Sequence, residues 1–227
     1  GGSTVPTTAK GLNTFTWDLR YPGAISFEDM IIWSARPQRG PLAPLGNYQV
    51  KIRVGAVQKT ETFEIKIDPN LEEITPSDLQ LQFDLAIQIR NQTSSANEAI
   101  IQIRSLRNQL EALMKHQELS ALNTSVQEII EKTRGIEETL YQVKNQSNQD
   151  PLNFPIKLNN RLASLRRSVE NGQARPTDAA YVVFDELKGA LTQLLTQLDT
   201  LLSEDLNRLN DAFMAQGFKA IEIKKAP

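Results

Sequence analysis

The chain has 227 residues, a formal net charge of −2, no cysteine and one histidine. Disulfides, thiolate nucleophiles and Cys-ligated zinc are therefore excluded, and a near-neutral balance spread over both halves gives no electrostatic case for nucleic acid. No apolar run reaches the ~18 residues of a membrane span, and Gly1-Gly2-Ser3 reads as a cloning scar or interdomain linker, without a signal peptide, on a piece of something longer.

Breakers and both tryptophans concentrate before residue 70, and Leu, Gln, Asn and Glu dominate after it. This shift marks a domain boundary. In the first segment, Leu12, Phe15, Trp17 and Leu19 form a strand-like run with Trp17 as core anchor. The stretch from Tyr21 to Pro44 has room for one short strand at Met30–Ser34 and is otherwise a long ordered loop, the kind that often carries function. Tyr48-Val50-Ile52-Val54 and Phe63-Ile65-Ile67 then alternate apolar and polar with period two, each laying one face on a core. Gly55-Ala56-Val57-Gln58 is the turn between them. A few alternating strands in residues 1–70 predict a small β-sandwich of immunoglobulin type.

Helices follow. Thr75-Pro76-Ser77-Asp78 is a start signal: an N-cap hydroxyl, a proline at the first helical position and an acid at the positive helix end. Apolar steps of three and four from Leu79 to Leu113 predict a helix of ~40 residues. A second helix spans about Leu122 to Lys144, with Val126, Ile129, Thr133, Ile136, Leu140 and Val143 inward. A third spans Pro155 to Glu170. The fourth runs from Pro176-Thr177 to Gln216, where Gly217 stops it. Residues 75–217 thus form an antiparallel bundle with long first and last helices. Two topologies pair the stripes: three rods with the middle one broken at Asp150–Pro155, or four helices with two short inner ones. The three-rod form gives every stripe a partner along its length. Residues 218–227 are a tail, with Phe218, Ile221 and Ile223 positioned to fold back.

No residue set suggests catalysis, a cofactor or a metal. His116 has no orienting acid or fellow ligand nearby in sequence. Adjacent acids such as Glu137-Glu138 and Asp185-Glu186 diverge by ~100° on a helix, so they read as solvated faces; Glu28-Asp29 lies in the long loop. Arg161, Arg166 and Arg167 make a basic spot, read as a solvated face with helix-end compensation. Three Asn-x-Ser/Thr sequences are discounted, because two fall within predicted helices. The remaining candidate is an interaction loop carrying Phe27, Met30, Trp33, Arg36 and Arg39, suited to a glycan or protein partner. The oligomeric state stays open, the last helix being able to pair with the bundle's own core or with another chain.

Three stretches carry a family resemblance. They are Gly11-Leu-Asn-Thr-Phe-Thr-Trp-Asp-Leu-Arg-Tyr-Pro-Gly-Ala24, Gly40-Pro-Leu-Ala-Pro-Leu-Gly-Asn-Tyr48, and Asn148 to Leu162 continued by Ala174 to Tyr181. Together they resemble the carboxy-terminal region of large bacterial BNR-repeat, sialidase-like or sortilin-like "glycosyl hydrolase" proteins. The Trp-Asp-Leu-Arg and Pro-x-Gly-x-Tyr pieces also resemble the immunoglobulin-like domain of flagellar hook-capping proteins. The resemblance implies an upstream β-propeller that carries any hydrolytic site, and export to the periplasm, cell surface or medium. It implies for this chain a non-catalytic accessory role as spacer or interaction surface. No propeller blade repeat occurs in these residues.

Overall fold

The computed structural model describes residues 8–223. The opening Gly1-Gly2-Ser3 and the end of the tail, 224–227, lie outside them. Two small two-stranded antiparallel sheets precede the helices. Strands β1 (Arg20–Pro22) and β2 (Arg39–Leu42) form the first sheet; β3 (Gly46–Val54) and β4 (Val57–Ile65) form the second. Their connection is a tight turn with Gly55 at φ 59°, a backbone region that favours glycine.

The β3–β4 register places Tyr48, Val50, Ile52 and Val54 opposite Phe63, Glu61, Lys59 and Val57 on one face. Trp17 covers the base of that face, its ring 5.7 Å from Tyr48 and 6.1 Å from Phe63. Further out the face is bare, with Ile52, Val54 and Val57 all exposed. The expected strand at Leu12–Leu19 does not form: Leu12 is exposed, and Leu19 sits at φ 57°. The expected strand at Met30–Ser34 is absent too. The Ile31 N–H and both backbone groups of Trp33 are taken by the Tyr141 and Asn160 side chains instead of a ladder.

Helix α1 (Pro76–Leu113) starts at the predicted signal. The Thr75 hydroxyl accepts from the Asp78 backbone N–H while the Asp78 carboxylate accepts from the Thr75 N–H, a reciprocal capping box. These bonds from Thr75 hold the Asp78 carboxyl below its ordinary pKa. Helix α2 (Asn123–Leu140) follows a short 3₁₀ segment and ends before Val143, which is exposed. The break spans residues 141–157 and holds a turn in which Asp150 accepts from the Gln146 and Ser147 backbone, lowering its pKa. Helix α3 (Leu158–Val169) then begins three residues later than its sequence pattern suggests.

Helices α4 (Asp178–Thr200) and α5 (Leu206–Ala215) are one rod joined by a π-turn at Leu201–Asp205. The π-turn has a packing reason. The buried positions step by three, four or seven from Phe184 to Leu201, and then by five to Leu206. One extra residue in that turn keeps Leu206, Leu209 and Phe213 on the inner side. Gly217, at φ 80°, ends the rod as expected.

Side-chain bonds tie the helices together. Asn159 at the start of α3 meets Asn97 in mid-α1, and Gln82 near the start of α1 bonds Val169 at the end of α3. Lys132 of α2 meets Asp205 in the π-turn at 2.6 Å. The tail folds back: Asn210 bonds the backbone of Ile221 in both directions, at 3.1 and 2.8 Å, and Ile221 is buried. Two apolar clusters result, an upper one around Ile89, Ile100, Leu162 and Leu191 and a lower one around Leu110, Val126 and Phe213. Helix α1 serves both. Because α2, α3, α4 and β2 all pack on it, its buried positions surround the axis and include Gln82, Ser94 and Asn97. No helix among the described residues is long and apolar enough to cross a membrane.

Candidate functional site: a stitched loop and an arginine cleft

The loop between β1 and β2 lies along α1 and α3, and polar side chains of the helices hold its backbone. Ser94 Oγ accepts from the Ile25 N–H at 3.1 Å, and Asn97 donates to the Ile25 carbonyl at 2.6 Å. The Tyr141 hydroxyl accepts from the Ile31 N–H at 3.0 Å. Asn160 grips Trp33 twice: its Oδ1 accepts from the Trp33 N–H at 2.7 Å, and its amide donates to the Trp33 carbonyl at 3.0 Å. An amide side chain offering one donor and one acceptor is the group that can replace a strand partner for one residue. Buried backbone groups need such partners, so these asparagines stand in for a ladder.

The apolar side of the same seam explains Phe27 and Met30. Both pack on the upper core rather than facing solvent. Phe27 lies edge-on to Tyr141 at 5.1 Å, and the Arg104 guanidinium sits 4.6 Å above the Phe27 ring. Arg104 in turn bonds Glu137 at 2.7 Å, and Arg107 bonds the other carboxylate oxygen. Glu137 is 2% exposed, which corrects its reading as a solvated face. It occupies the inward stripe with Thr133, Ile136 and Leu140, and two arginines neutralise it there.

The end of the loop builds a different environment. Arg20 of β1, Arg36 and Arg39 of the loop and β2, and Arg166 and Arg167 of α3 line one cleft of about 560 Å³ with Ser34, Ala35 and Glu170. Glu170 bridges Arg20, at 3.2 Å, and Arg166, and it accepts from the Leu42 N–H at 3.2 Å. Arg166 also donates to the Arg36 carbonyl at 3.0 Å, and Arg167 donates to the carbonyl and hydroxyl of Ser34. Arg166 is 5% exposed, so its reading as part of a solvated face is overturned; Arg161 is exposed as expected. Burial lowers the pKa of Arg166, the Arg20 and Arg39 charges lower it further, and Glu170 opposes them.

Backbone packing fixes the cleft wall. Gly40 lies so close to β1 that a methyl group there would collide with the carbonyls of Tyr21 and Pro22, so only glycine admits the β1–β2 approach that aims Arg20 and Arg39. Of the five residues named from the sequence, Arg36 and Arg39 therefore meet in this cleft. Trp33 is clamped beside it through its backbone, and Phe27 and Met30 are seam residues. Arg20, Arg166, Arg167 and Glu170 are added by the fold. Glu28 and Asp29 are exposed, and no group of three His, Asp or Glu side chains is placed to hold a metal among the described residues. Comparison of the chain with protein-family models, curated proteins and solved structures finds no match.

Proposed function

We propose that the chain is a non-catalytic accessory module of a larger exported β-propeller protein of the BNR-repeat, sialidase-like or sortilin-like kind, acting as a rigid spacer and interaction surface. The observation that carries this reading is the seam. Three separate side-chain clamps, at Ile25, Ile31 and Trp33, join the strand region to the helices. Such a join suits a part that transmits position.

In this reading the strands belong to an immunoglobulin-like unit of hook-cap type, and the helices to an antiparallel three-rod bundle. Support for the first comes from Tyr48, whose hydroxyl donates to the Pro44 carbonyl four residues upstream at 2.7 Å, a contact of the tyrosine-corner kind. Support for the second comes from the contacts among α1, the α2–α3 pair and the α4–α5 rod. The bare outer face of β3–β4 suits docking on a neighbouring β-domain of the same polypeptide, since an isolated two-stranded sheet with an apolar face is marginal in water.

The test is a turnover assay of the chain against a panel of glycosides and esters. The reading expects rates equal to buffer. Turnover that disappears in Glu28→Gln or Asp29→Asn would overturn it.

A second reading, a glycan- or protein-binding module using the loop, is favoured by one observation: the Arg36 and Arg39 side chains stand in the cleft without an acidic partner among the described residues.

A further inference from the structure

We infer that the arginine cleft is a binding site for a tetrahedral oxyanion, a phosphate or sulfate group borne by a larger ligand. This rests on the second reading, of the loop as a ligand surface, and is independent of the spacer reading.

Charge comes first. Five guanidiniums and one carboxylate line the cleft, within a chain whose net charge is −2. Glu170 is already committed to Arg20, Arg166 and the Leu42 N–H. An internal carboxylate thus satisfies the floor of the site and leaves an excess of four positive charges around it. Like charges brought together at this density repel, and Arg20 and Arg39 both act on the buried Arg166. An anion entering the cleft relieves that repulsion.

Donor supply comes second. Arg36 and Arg39 are exposed at the mouth, and no protein group accepts from their side chains among the described residues. Guanidinium groups on β1, β2, the loop and α3 approach from different elements, so their donors converge from several directions. A tetrahedral oxyanion accepts from several directions at once, whereas a planar carboxylate is served by one fork. The planar place is the one Glu170 fills. The partly buried floor also strengthens each charge-assisted bond over its value in open water.

Preorganisation comes third. Arg166 is held by the Arg36 carbonyl and Glu170, and Arg167 by Ser34. The loop that presents Arg36 is itself fixed at Trp33 by Asn160. The cleft floor and the backbone that presents Arg36 are therefore ordered before binding, and the cost left is that of the Arg36 and Arg39 side chains.

The experiment is calorimetric titration of the whole chain at low salt with pyrophosphate, a sulfated disaccharide, and citrate as a planar-carboxylate control. Pyrophosphate or the sulfated sugar is expected to bind, and the tighter of the two identifies the source of the oxyanion. The double variant Arg36→Ala/Arg39→Ala changes two exposed side chains and is expected to keep the far-UV spectrum and melting temperature. Its affinity should fall by about tenfold or more, as loss of two charge-assisted contacts predicts. Lys51→Ala/Arg53→Ala on the hairpin should leave affinity unchanged. Absence of binding for both oxyanions at about 10 mM would overturn the site. So would an affinity unaltered by the Arg36/Arg39 change. Tighter binding of citrate than of either oxyanion would overturn the tetrahedral class while leaving the loop as a ligand surface.

Discussion

Replacing Glu137 with alanine should cost about 3 kcal/mol of stability, at the low end of the range for breaking a buried ion pair. The Glu137 side chain is 3% exposed, and among the described residues it alone neutralises Arg104 and Arg107 where α2 meets α1. Removing it leaves two arginines without an acid and opens a void in a stripe that also holds Ile136 and Leu140. The discount to the low end comes from Arg104, whose side chain is 37% exposed and can rehydrate. Glu137→Gln keeps the volume and some hydrogen bonds and should lose less. Arg104 links this pair to the loop through the Phe27 and Tyr141 rings, so the alanine variant should also loosen residues 25–31. Urea unfolding of the three proteins checks the order. A loss under about 1 kcal/mol for Glu137→Ala would mean that the pair lies at the surface in solution.

Asn160 is the second position where one side chain holds much. Its amide satisfies both backbone groups of Trp33 and also donates to Ser164 at 3.1 Å. Asn160→Ala should destabilise by about 2 kcal/mol, since each buried backbone group left unpaired costs roughly 1–3 kcal/mol and water can reach part of this site. Asn160→Asp retains the acceptor for the Trp33 N–H but sets a carboxylate oxygen against the Trp33 carbonyl and buries its charge, so it should lose at least as much as alanine. Ser34 and Arg36 follow the clamped residue within three positions, so the alanine variant should also weaken the arginine cleft's hold on pyrophosphate. Denaturant midpoints and tryptophan emission follow both effects. Equal stability of the three forms would show that Trp33 finds other partners.

Both positions show where the sequence was readable and where it was not. Helix positions and stops follow from local chemistry: the Thr75–Asp78 box, the spacing of the apolar residues and Gly217 each act within one turn. The buried polar residues also left a signal. Asn97 follows Thr93 by four, Glu137 follows Thr133 by four, and Arg166 follows Leu162 by four, so each sits in an inward stripe. A charged or amide side chain in such a phase requires a partner, and reading adjacent acids as solvated passes over that phase. The partner itself was not legible. Asn160 and Trp33 are 127 residues apart, and Arg20 and Glu170 are 150 apart. Such pairings depend on how the rods turn at Asp150–Pro155 and on the β1–β2 approach at Gly40. The strand expectation at Met30–Ser34 failed for the same reason, because side chains on distant helices compete for that backbone.

Amide hydrogen exchange on the native chain, followed residue by residue, decides whether the loop and the helices are one body. Locking of the loop predicts that the Ile25, Ile31 and Trp33 amides open only with the α1 and α3 core, at nearly the same free energy, while the outer residues of the β3–β4 hairpin exchange far sooner. Loop amides exchanging as freely as the hairpin tip, beneath protected helices, would show that the clamps do not hold and would remove the basis for both the rigid module and the preorganised cleft.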